Sequence, residues 1–72
     1  MNSSDLQNIY KHAVKCEETI TALRHLSDSM PVHSARQETF QALTKFICNT
    51  ARDMLSKVAY EADWLIEVGE AD

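Results

Sequence analysis

An all-α fold is what this sequence predicts: two long helices in an antiparallel hairpin, with two hairpins pairing as a four-helix bundle. The 72 residues include one glycine and one proline, too few for an architecture of strands and tight turns. Apolar residues recur at spacings of three and four on both sides of Pro31, which is the period of helices packed on helices. A chain this short also leaves so much of its surface exposed that a monomeric core contributes little net stability. Cys16 and Cys48 are its only cysteines, so disulfides and metal are poorly provided for, and oligomerisation is the expected supplement.

The chain reads as one helical-hairpin domain over residues 1–72. A first helix is expected over about 5–29, opened by a capping box in which Ser4 accepts from the backbone three residues on and Gln7 reaches back. Its apolar line is Leu6, Ile9, Ala13, Cys16, Ile20, Leu23 and Met30, with Ser27 filling the one polar slot. Pro31 lacks a backbone donor and pushes Met30 away from helical angles, so a turn is expected over about 30–33. Ser34 and Gln37 form a second capping box, and a second helix follows over about 34–67 before Gly69 ends it and a short acidic tail begins.

The core line of the second helix reads Phe40, Leu43, Ile47, Ala51, Met54, Val58, Ala62 and Leu65. Centring the turn near residue 31 sets Leu23 opposite Phe40, Ile20 opposite Leu43, Cys16 opposite Ile47 and Ile9 opposite Met54. Residues 59–68 then have no counterpart in the first helix, an overhang of roughly 15 Å. The apolar arc is wider than one partner helix covers, so Tyr10, Val14, Phe46 and Leu55, which flank the two lines, are expected at the dimer interface.

Charge is unevenly placed. The formal net charge is −4, yet residues 61–72 hold Glu61, Asp63, Glu67, Glu70 and Asp72 without a base. Acids at a helix C-terminus oppose the macrodipole, so stability does not account for them. Beside them Tyr60 and Trp64 stand one turn apart. Aromatic anchors rimmed by acids suit a protein interface, and Tyr60, Glu61, Asp63, Trp64, Ile66 and Glu67 are the expected partner-binding residues, the alternative being that the overhang of one subunit packs against its twin. A larger protein with a basic surface is the expected partner.

Other chemistry is thinly represented. His12 and Cys16 are four apart but lack a second ligand pair; Glu17 and Glu18 are adjacent on a helix and face different ways. No enzyme activity, cofactor or metal is expected. The bases Lys11, Lys15, Arg24, Arg36, Lys45, Arg52 and Lys57 are interspersed with acids rather than gathered in a stripe, so nucleic acid is not the expected partner. No apolar run is long enough to span a membrane and the start lacks the order of a secretory signal; with two unpaired thiols, a cytoplasmic location is expected.

In length and architecture, over the whole chain, the arrangement resembles the Rop-like dimeric helical hairpins, and that resemblance implies binding of paired RNA loops. It also resembles the small two-helix anti-activators of temperate phages, including the anti-quorum-sensing type. Its size, expected dimerisation and acidic aromatic end agree with that group. The likeness implies a non-enzymatic regulator that occludes a transcription activator in the host cytoplasm, and it carries over no individual functional residue. A plain dimeric scaffold is the remaining expectation.

Overall fold

Pro31 divides the chain where its chemistry requires. In the computed structural model, which describes residues 3–69, α1 runs Ser3–Asp28 and α2 runs Ala35–Glu67, packed against one another as a two-helix hairpin. The 33 residues of α2 account for about 50 Å at 1.5 Å each, most of the molecule's 54 Å length.

The start of α2 forms as its residues dictate. Ser34 is extended and its side chain accepts from the Gln37 backbone at 3.1 Å, while Gln37 Oε1 accepts from the backbone of His33 at 2.6 Å. The glutamine thus reaches one residue beyond the usual capping-box partner. The first capping box is different: α1 already includes Ser3 and Ser4, so Ser4 lies within the first turn rather than capping it. At the far end, Gly69 takes φ +70°, the left-handed conformation that a glycine adopts without steric cost. Its amide reaches Ile66 O at 3.2 Å and that of Val68 reaches Trp64 O at 3.0 Å.

The seam between α1 and α2 is built from small and polar residues. Buried positions in α1 are Leu6, Ala13 and Ser27; in α2 they are Cys48, Ala59 and Ala62. Ile20, Arg24, Gln41, Thr44, Ala51 and Leu55 are half-buried along the same lines. Side chains this short let two helix backbones come close, and the interior volume between them is correspondingly small: among the described residues no large side chain is fully buried.

This overturns half of the expected hairpin core: Leu6, Ala13, Ser27 and Ala62 are buried and Ile20, Met30, Ala51 and Leu65 half-buried as expected, and the bulkier remainder is not. Ile9, Leu23, Phe40, Leu43, Ile47, Met54 and Val58 are exposed, with Phe40 at 57%, Ile47 at 55% and Met54 at 62%, and Cys16 is exposed as well. At 100° per residue the displaced residues lie roughly 55° round from the seam on α1 and roughly 80° on α2, in the same sense on each helix. Because the helices are antiparallel, the same sense of rotation brings both lines to the same side of the hairpin. The displaced apolar residues therefore make one long outer face.

The register is shifted too. Gln41 Nε2 donates to Ser27 O at 2.6 Å and to Met30 O at 3.3 Å, and Leu6 and Ile9 share a groove with Val58, Ala62 and Leu65. Ser27 is therefore level with Gln41 and Leu6 with Ala62, so Cys16 is level with Arg52 rather than with Ile47. Residues 31–33 lie in no regular element, and this link lets α2 begin beyond the end of α1. The extra length of α2 falls mainly at the turn, and the overhang expected over 59–68 is absent: Ala59 and Ala62 are buried against α1.

Candidate protein-docking surfaces

Three surfaces follow from this geometry. The first lies on the outer side of α2. Tyr60 and Trp64, four residues apart and therefore neighbours on the helix surface, flank a shallow cleft of about 260 Å³ completed by Glu61. They are 69% and 44% exposed. Asp63 and Glu67 are exposed one step round the same end of the helix, and Ile66 is half-buried, on the inward line that carries Ala59 and Ala62. The structure thus joins Tyr60, Glu61 and Trp64 in one place, sets Asp63 and Glu67 beside them, and turns Ile66 towards α1. Glu70 and Asp72, also counted in the acidic segment, lie outside the described residues.

The apolar face is the second surface. At its free end Leu6, Ile9, Lys57, Val58, Glu61, Ala62 and Leu65 line a groove of about 370 Å³. At the turn end Leu23, Phe40 and Leu43 project. Sequence reasoning placed Leu6, Ala62 and Leu65 inwards correctly and misplaced Ile9, Leu23, Phe40, Leu43 and Val58, because apolarity and spacing reveal a stripe without saying which neighbour covers it.

On the opposite side Val14, Glu17, Glu18, Thr21 and Arg52 line a polar depression of about 430 Å³, which the sequence did not suggest. Nearby, Arg24 donates to Asn49 Oδ1 at 3.0 Å and its Nε stands 3.6 Å from Asp28 Oδ2. The hydrogen bond to Asn49 ties the two helices, and the ion pair with Asp28, partly exposed and within α1, contributes little by itself. Both carboxylates of the depression are level with Arg52, and the mixture of signs gives no single ligand charge a preference.

The residues expected at the dimer interface are not gathered on one side of the hairpin. Leu55 is half-buried in the seam, Phe46 is exposed on the back of α2, Val14 borders the polar depression, and Tyr10 is exposed beside the seam. Among the described residues no group of three or more His, Cys, Asp or Glu side chains is arranged to hold a metal ion, both cysteines are free, and no helix is long and apolar enough to cross a membrane. Comparison with protein-family models, with curated proteins and with solved structures returned no match.

Proposed function

We propose that this protein is a non-enzymatic regulator, a homodimer of helical hairpins forming a four-helix bundle, which sequesters or inhibits a larger protein presenting a basic surface. A transcription activator whose DNA-binding face is basic is the partner class that fits. The observation that carries the proposal is the exposed Tyr60–Trp64 pair, flanking a cleft with Glu61 in a segment that contains acids and no base. Aromatic side chains in a cleft supply the buried anchor of an interface. Surrounding carboxylates steer a basic partner towards it and raise the association rate. Occupation of that surface blocks the partner's own ligand by bulk and by charge.

The dimer is supported by the length of the uncovered apolar face and by the thin core beneath it. Tyr60 and Trp64 stand on a different side of α2 from that face, and Glu61 borders both, so pairing leaves the aromatic pair free on each subunit.

The test is affinity capture from a lysate of the source or host cell, with and without ribonuclease, comparing the wild type with a Trp64→Ala, Glu61→Lys double variant. A specific protein retained by the wild type, resistant to ribonuclease and lost with the variant, is the expected result. Ribonuclease-sensitive recovery of RNA would replace the proposal with a Rop-like activity. Recovery of nothing but the protein itself would leave a dimeric scaffold.

A further inference from the structure

The apolar face is symmetric about its own middle, and the geometry points to a second copy of this chain as its occupant, laid antiparallel so that Phe40 of each copy fills the groove at the free end of the other. The inference rests on the dimer proposed above and specifies its arrangement.

The spacing of the face carries it. On α2 the exposed residues Phe40, Leu43 and Ile47 are followed by Ala51, half-buried between the seam and the face, then by exposed Met54 and Val58 and the groove around Ala62. Ala51 is the midpoint: Ile47 and Met54 stand on either side of it at nearly equal distance, as do Leu43 and Val58, and as do Phe40 and Ala62. On α1 the line Ile9, Cys16, Leu23 is centred on Cys16 in the same way. The observed register sets Cys16 level with Arg52, one residue from Ala51, so both lines share a midpoint.

A two-fold axis through that point, lying in the face and across the helices, stacks α1 on α1 and α2 on α2, each antiparallel. It brings Ile47 to Met54 of the second copy, Leu43 to its Val58, Leu23 to its Ile9 and Phe40 to its groove. Cys16, small and exposed, meets its own copy at the centre, and Ala51, half-buried at the edge of the seam, leaves room beside it. An axis along the helices would instead stack groove on groove and leave Phe40 without a recess.

The area available is adequate. The chain exposes 5538 Å², against roughly 4,500 Å² for a compact monomer of its mass. A face as long and wide as the hairpin, about 750 Å² in projection, matches the roughly 800 Å² per partner of a stable interface.

Two measurements test the arrangement on a chain that keeps its hairpin core intact. In a Cys48→Ala background, which keeps the buried seam apolar, a short bismaleimide should join Cys16 to Cys16 of the second copy, because stacked helices lie roughly 8–10 Å apart between axes. Phe40→Asp, at a side chain more than half exposed within the hairpin, should retain the helical signal and weaken association by about tenfold or more in sedimentation. A wild-type monomer under all conditions would overturn both the dimer and this arrangement. A wild-type dimer that yields no Cys16 link, or that Phe40→Asp leaves at full strength, would overturn the arrangement alone.

Discussion

Gln41 Nε2 donates to the backbone carbonyl of Ser27 at 2.6 Å. One side chain of α2 thereby gives a second donor to a carbonyl in the last turn of α1, which also accepts from the Met30 amide at 3.1 Å. The same amide reaches Met30 O at 3.3 Å, so it fixes both the end of α1 and the register of the hairpin.

Replacing Gln41 with Leu should therefore lower stability although it adds apolar surface. The loss of a partly buried hydrogen bond is about 1 kcal/mol, and thermal unfolding followed by circular dichroism should show a fall of roughly 4–8 °C. An unchanged midpoint would mean that water replaces the amide at no cost.

Ser27 gives the opposite sign. Its side chain is 7% exposed and its hydroxyl is buried without a hydrogen-bond partner, a state that costs about 1–3 kcal/mol. Ser27→Ala removes the orphan group, keeps the carbonyl that Gln41 uses and favours the helix. The denaturation midpoint should rise in urea at constant slope; a fall would show that an unseen partner satisfies the hydroxyl.

Ala59 and Ala62 set how closely α2 approaches α1. Ala59→Leu should force the helices apart and destabilise the hairpin by about 1–3 kcal/mol. Leu43→Ala, on the uncovered face, should leave the stability of an isolated hairpin nearly unchanged and weaken only its association. Comparing the two variants by chemical denaturation at low and high protein concentration separates the seam from the face.

The acids near the cleft and its aromatic pair should act on different rates. Charge reversal at Glu61, Asp63 and Glu67 should slow association with a basic partner most at low salt, where screening is weakest. Trp64→Ala should chiefly hasten dissociation. If neither substitution alters binding kinetics with the captured partner by about threefold, roughly 0.6 kcal/mol, the cleft is not where that partner docks.

Much of this was legible from local chemistry. The break at Pro31, the cap formed by Ser34 and Gln37, the left-handed Gly69 and the extents of both helices are set by residues within a few positions of one another, so their order in the chain is enough to locate them. Tyr60, Glu61 and Trp64 share a surface because one helix turn separates them, which spacing alone reveals. The acidic segment and the two apolar lines were equally visible.

What the tertiary structure decided is how each helix is rotated and how far the two have slid. The wide apolar arc of α2 allowed either Phe40, Leu43, Ile47 and Met54 or the smaller line through Thr44, Cys48, Ala51, Ala59 and Ala62 to face α1, and apolarity favoured the first. The hairpin takes the second. Small side chains let the backbones close together and let Gln41 reach Ser27, and that contact between residues distant in the chain fixes the register. The bulky residues then stand outside, a consequence no period along one helix can show, because it depends on the surface the other helix brings to meet it.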